Sequence, residues 1–243
     1  MMTLQERLQE YLRPDPSLLA PVPSDEFIPE VKLTRGSRKI DLHSKANVRG
    51  FFDVNGFMTF YESGGERKIG LHFLAMKEFV DIVEQPAVVY YVDDQGITRH
   101  HTFDWLLIKA DGTKVLVAVK PAALVEKSGV DRIVELVASQ ISTATADFVL
   151  LATDKDLTPV DHFNNELIYR AQKSKSPKDD KAVTQIAKKL RGETTIADLV
   201  EAVGVGGNGF FAVVRAIANG RLVPTTYRDI DYDAVVTRGR KKR

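Results

Sequence analysis

Asp104 and Lys120 are the residues of this chain whose types and spacing best fit a shared reactive site. They bracket the stretch His101-Thr-Phe-Asp-Trp-Leu-Leu-Ile-Lys-Ala-Asp-Gly-Thr-Lys-Val-Leu-Val-Ala-Val-Lys120, whose Asp111-Gly112 pair is a hairpin-turn signal. Two antiparallel strands folded on that turn bring an acid near the start of one to a lysine near the end of the next. Carboxylates that hold a divalent cation can activate water, stabilise charge on phosphorus and assist a leaving oxygen. A neighbouring lysine orients the water or offsets phosphate charge. Asp104 is the expected metal ligand, Lys120 the lysine, and Glu66 a further acid carried on a helix. Magnesium accepts few protein ligands, and manganese is an alternative; the backbone carbonyl of Val119 is a third candidate donor. A carboxylate two residues before Lys120 would complete the set, but Ala118 stands there. Strand alternation puts 118 and 120 on one face, so the site is expected to lack that ligand.

The same residues have plain structural readings. Asp104 can pair as a strand-end acid with Lys120 or Arg132. Glu66 follows Ser63 by three residues, the spacing of a helix-capping box, and Glu62 can compete with it. Gln85, in a Gln-Pro step, can offer an amide to the site or simply start a strand. His100 and His101 are adjacent on a predicted strand, so they point to opposite faces and do not form one metal site. The glycine-rich Gly204 to Gly209 segment lacks the Gly-Lys-Ser/Thr ending of a phosphate loop.

The elements that must position these residues follow from periodicity. Ile69, Phe73 and Met76 predict an amphipathic helix. Asn55-Gly56 predicts an earlier hairpin turn. Residues 87–92, 98–109 and 114–119 read as a three-stranded meander rich in β-branched and aromatic residues. Helices are expected over 125–143 and 160–171, with a short buried strand at 148–152 between them. This predicts an α/β chain with a mixed sheet covered by helices. Residues 1–30 are punctuated by prolines and read as an arm. Residues 31–172 read as the main domain, the polar span 173–183 as a linker, 184–236 as a small helical domain, and 237–243 as a basic tail. In the small domain Thr195 is the expected cap of a second helix, and a helix, turn, helix, strand order is the winged-helix order.

Composition leaves this reading open. The chain has 243 residues, 44% hydrophobic and 28% charged, enough to bury more than one core. It has no cysteine, which removes disulfides, thiolate metal sites and cysteine nucleophiles and fits a reducing, cytoplasmic setting. No apolar run is long enough to cross a bilayer, so no membrane partner is expected. Net charge is only +1, so any contact with DNA must rely on local clusters. The candidates are Arg35, Arg38 and Lys39, and the tail residues Arg238, Arg240, Lys241, Lys242 and Arg243; the span 173–181 is also basic.

Several motifs resemble one family. Phe60-Tyr-Glu-Ser-Gly-Gly-Glu-Arg-Lys68, Glu84-Gln-Pro86, His101-Thr-Phe-Asp104 and Val117-Ala-Val-Lys-Pro121 together resemble the N-terminal domain of TnsA-type endonucleases. These are subunits of heteromeric transposases and belong to the PD-(D/E)XK restriction-endonuclease-like group. The resemblance spans about residues 45–125, and the C-terminal helices resemble that family's winged-helix-like second domain. It implies a restriction-endonuclease-like core, a magnesium cofactor, DNA and transposase subunits as partners, and catalytic roles for Glu66, Asp104 and Lys120. The family has Glu or Gln where Ala118 stands, and commonly Pro at position 103, where this chain has Phe. Three functions are consistent with these residues: a metal-dependent DNA endonuclease of this kind, a DNA-binding or assembly protein that keeps the fold without cutting, and a DNA-processing nuclease of a phage or other mobile element.

Overall fold

A computed structural model describes residues 32, 34–37, 48–204 and 207–239, which lie in one compact unit beginning at Lys32. The predicted arm at 1–30, Arg38, Lys39 and the tail from Arg240 onward fall outside the described residues. The architecture is mixed α/β.

Strands β1 (Gly50–Val54) and β2 (Phe57–Tyr61) form a hairpin on Asn55-Gly56. Both turn residues have positive φ, 53° and 82°, as a tight two-residue turn requires. Helix α1 (Gly64–Ala75) starts at Ser63, whose Oγ accepts the Glu66 N–H. Gly70 lets α1 approach the sheet: a Cβ there would stand 2.7 Å from the Phe52 ring and 3.2 Å from that of Trp105.

The central sheet has the order β3-β6-β7-β8. Strands β3 (Phe79–Glu84), β6 (Trp105–Lys109) and β7 (Lys114–Val119) are antiparallel, and β8 (Phe148–Ala152) runs parallel to β7. A parallel neighbour needs a crossover, supplied by α2 (Ala122–Ser128) and α3 (Val130–Gln140). These meet at Gly129, whose φ of 63° breaks what the sequence predicts as one helix. Val115 and Val117 face a cluster with Ile69 and Leu71 of α1; Leu116 and Ala118 face a second cluster with Val130 and Val137 of α3. Helices therefore cover both faces.

The meander takes a different form. β4 (Val89–Val92) and β5 (Thr98–His101) make a hairpin of their own, separate from the central sheet. The single strand predicted over 98–109 is broken at residues 102–104, and β3 takes the place beside β6.

The span 173–183, predicted as a linker, is mostly helix. Helix α4 (Pro159–Lys173) ends there, three residues intervene, and α5 (Pro177–Lys189) begins on Pro177 with Ser176 as its cap. The lysines face outward while Asp179, Val183 and Ala187 are buried at four-residue spacing, so a polar composition concealed an amphipathic helix. Beyond it come β9 (Glu193–Thr195), α6 (Ile196–Val203), α7 (Gly207–Ala218), β10 (Leu222–Pro224) and β11 (Val235–Arg238), with β11 between β10 and β9. Thr195 caps α6 as predicted, in a reciprocal box with Asp198.

Arg215 of α7 ties this region to α4. It is 5% exposed, and donates from Nε to Asp180 at 2.7 Å and from Nη1 to the carbonyls of Ala171 and Ser174 at 2.9 and 2.6 Å. Arg215→Met removes these donors and leaves buried acceptors unpaired. It should lower stability by about 3–5 kcal/mol, read as a reduced urea midpoint of the full chain.

Candidate functional site around the end of strand β7

Val119 is the point at which the predicted site residues meet. Strand β6 begins only at Trp105, so the ladder beside β7 ends early. The Asp104 N–H still donates to the Val117 carbonyl at 2.9 Å. The next β7 amide, that of Val119, donates to Asp104 Oδ2 at 2.6 Å. A side-chain carboxylate thus replaces a missing strand carbonyl, as a buried peptide N–H requires a partner. On the other side, the first turn of α1 lies against Val119: a Cβ on Gly65 would stand 3.5 Å from Val119 Cγ1. Lys120 follows directly, its N–H held by the Ala152 carbonyl at 3.0 Å.

Glu66 sits in that first turn of α1. Its Oε2 accepts the Glu62 N–H at 2.8 Å, while its own N–H goes to Ser63 Oγ. The capping role is therefore real, but the side chain reaches Glu62 rather than the Ser63 amide of the usual reciprocal box. Glu66, Asp104 and Lys120 are all half-buried. Arg132, the alternative partner for Asp104, pairs instead with Asp94 and Glu135. Among the described residues Lys120 enters no ion pair.

Gln85 does not start a strand. It follows the last residue of β3 with a φ of 37°, a conformation uncommon outside glycine and asparagine. Its N–H donates to the Asp104 carbonyl at 2.9 Å, and its carbonyl accepts the Ser37 N–H and hydroxyl, both at 2.9 Å. Gln85 is thus backbone support directly behind Asp104.

Ala118 differs most from expectation. Its side chain is 2% exposed and belongs to the apolar cluster of Phe103, Leu116, Val130 and Val137. The position is not a gap in an open site; it is filled by core packing.

His101 was passed over in the sequence because its neighbour His100 could not join it on a metal. It packs edge-on against Phe103 at 4.9 Å. Burial first, then the charge of Lys120 and the nearby His100, lowers its pKa. Lys120 is thus near enough to the hairpin of β4 and β5 for its charge to be felt there, a proximity only the tertiary fold reveals.

Arg35 is committed elsewhere. It makes a bidentate ion pair with Asp81 at 2.6 and 2.8 Å and lies over the Phe57 ring. Arg238 is exposed and donates to the Lys188 carbonyl at 2.8 Å. Helix α7 carries one basic residue, the buried Arg215, so it presents no cation to solvent.

A groove of about 900 Å³ adjoins the site. Gly65, Lys68 and Ile69 of α1 form one wall, Thr153 and Asp154 after β8 the floor, and His162, Phe163 and Arg170 of α4 the other wall. No group of three or more His, Asp or Glu able to hold a metal ion occurs among the described residues. No described helix is long and apolar enough to cross a membrane. No protein-family model matches the chain, and no curated protein matches it.

Two predictions follow from this geometry. Ala118→Glu places a carboxylate among Phe103, Val130 and Val137, so it should lower stability by about 2–4 kcal/mol, measured by urea unfolding, without creating a site. For His101, the folded protein favours the neutral ring, so protons bind the unfolded chain more readily. Its contribution to stability is complete above the ordinary imidazole value of 6.5 and declines as pH falls from there toward its lower folded pKa. His101→Gln should flatten the stability profile in that window.

Proposed function

We propose that this chain is a metal-dependent DNA endonuclease with a restriction-endonuclease-like core, resembling the TnsA-type transposase subunit. The observation that carries the reading is the meeting at Val119: the Asp104 carboxylate on its amide, the Glu66 turn against its side chain, and Lys120 next in sequence. The mixed sheet, with β6 and β7 as its hairpin and α1 on one face, supports the same fold.

The donor set fits magnesium in kind. Asp104 accepts the Val119 N–H and Glu66 the Glu62 N–H, and carboxylate and carbonyl oxygens are the donor type magnesium takes. Glu66, Asp104 and the Val119 carbonyl would hold the ion, with manganese as a substitute, and waters would complete its shell. When bound, it would supply Lewis acidity and a water of lowered pKa. The protein's own contributions are positional. The Val119 amide fixes the Asp104 rotamer, Gln85 and Ser37 hold the backbone behind it, and the Lys120 ammonium stands ready to offset phosphate charge.

Order α5, β9, α6, α7, β10, β11, with β11 central, supports a winged-helix-like reading of the C-terminal region. Its helix α7 is packed inward, which favours a supporting role over base reading. A second reading, a DNA-binding or assembly protein that keeps this fold without cutting, is favoured by the apolar packing of Ala118. The transposase subunits and other mobile-element proteins implied by the resemblance remain candidate partners in either case.

Cleavage of supercoiled and linear DNA in Mg²⁺ and in Mn²⁺ separates the two. Wild type should nick or cut, and Asp104→Ala and Lys120→Ala should each lose activity on the order of 100-fold or more while retaining the fold, checked by circular dichroism. Absence of cutting by wild type with its partners present, together with unchanged biological output in both variants, removes the enzyme reading.

A further inference from the structure

We propose that the groove between α1 and α4 binds an unpaired DNA strand, with a base stacked on Phe163 and a phosphate at Lys68. This rests on the nuclease reading and narrows it to substrates with a single-stranded segment beside the cut.

Continuity with the site is the first argument. Gly65 forms the groove wall and also touches Val119; Thr153 in the floor follows Ala152, which holds the Lys120 amide. The groove therefore borders the elements that carry the candidate catalytic residues.

The lining gives the second argument. Its two acids are Glu166 and Asp154, and the charge of Lys68 lies near the second. Glu166 receives Arg67 and Arg170, and Asp154 Oδ1 accepts the Ala122 N–H at 2.6 Å. Lys68 is exposed and forms no ion pair among the described residues. Phe163 presents its ring to solvent at 48% exposure, and His162 Nδ1 is buried without a hydrogen-bond partner. Exposed lysine, exposed aromatic ring and orphaned polar atom together match a stacking platform for single strands, on which any base can sit.

Size is the third. A volume of about 900 Å³ lies within the range of small-ligand pockets. It suits a nucleotide or two, and it does not enclose a duplex.

The test uses the full chain in EDTA, so that binding is read without metal or cleavage. Fluorescence anisotropy is followed with a labelled oligothymidylate and with a labelled duplex. Phe163→Ala should weaken oligothymidylate binding roughly tenfold or more and leave duplex binding within about twofold; Phe163→Trp should restore it. Lys68→Gln should reduce the slope of log affinity against log salt by about 0.7 for the single strand. Phe51→Ala, which removes an equally exposed ring on β1, should change nothing. Equal single-strand binding by wild type and Phe163→Ala, equal loss on both probes, or no binding to either probe overturns the assignment. Should oligothymidylate bind as expected and wild type prove unable to cut DNA, the groove stands and the nuclease reading alone falls.

Discussion

Helix α4 belongs to two cores at once, and the rest of the molecule is organised by that constraint. Tyr169 packs with Phe52 and Trp105 on the side of the central sheet, and its hydroxyl accepts the Asp53 N–H at 3.0 Å. Leu167, Ile168 and Ala171 pack with Val183, Val213 and Val214 on the C-terminal side. Polar contacts fix it lengthwise. Asn165 donates to His72 Nδ1 of α1 at 3.2 Å, and Asn164 bridges the Arg228 carbonyl and the Ile230 amide at 3.0 and 2.7 Å. Tyr227 and Thr158 share a hydrogen bond at its N-terminus. The two packed sides of α4 join the sheet-bearing and C-terminal regions.

Against that frame the site is a consequence of strand lengths. β7 outruns β6, and the surplus amide of Val119 must find an acceptor. Asp104 stands one residue before β6 and supplies it, which holds the carboxylate at the sheet end whatever else it does. Two glycines then set how near α1 can come. Gly70 passes beneath Phe52 and Trp105, and Gly65 meets Val119. The capping of Glu66 and the anchoring of Asp104 are structural roles, and they also pre-set the side chains for the proposed chemistry, since catalytic groups gain from fixed rotamers.

Local signals in the sequence carried much of this. The Asn55-Gly56 and Asp111-Gly112 turns, the Ser63 and Thr195 caps, and strands 114–119 and 148–152 follow from residue type and period alone. What escaped depends on tertiary partners. β3 reads Phe-Val-Asp-Ile-Val-Glu, with a register irregularity between Phe79 and Asp81, so its alternation is imperfect and the preceding helical period runs into it. The break at 102–104 carries no glycine or proline. Alternation correctly put 118 and 120 on one face, but not that α3 would cover that face at 118 and leave off before 120. The electrostatic influence of Lys120 on His101 links the end of one sheet to another, so no local pattern could announce it.

Charge placement then decides where a polyanion can settle on so nearly neutral a chain. Most arginines with a described environment are tied to acids: Arg35 to Asp81, Arg67 and Arg170 to Glu166, Arg132 to Asp94, Arg215 to Asp180, Arg228 to Asp231. Each pair cancels its own field at a distance, and such fields are screened within about 8–10 Å at ordinary salt. Lys68 and Lys120 enter no ion pair among the described residues, and both stand by the junction of α1, β7 and β8, where Asp154 lies in the field of Lys68. With α7 turned inward, the helix that the C-terminal fold might have offered to DNA competes little for a polyanion. The end of β7 is thus where carboxylates, lysine and open groove coincide among the described residues, which is why the proposed recognition and chemistry are placed together there.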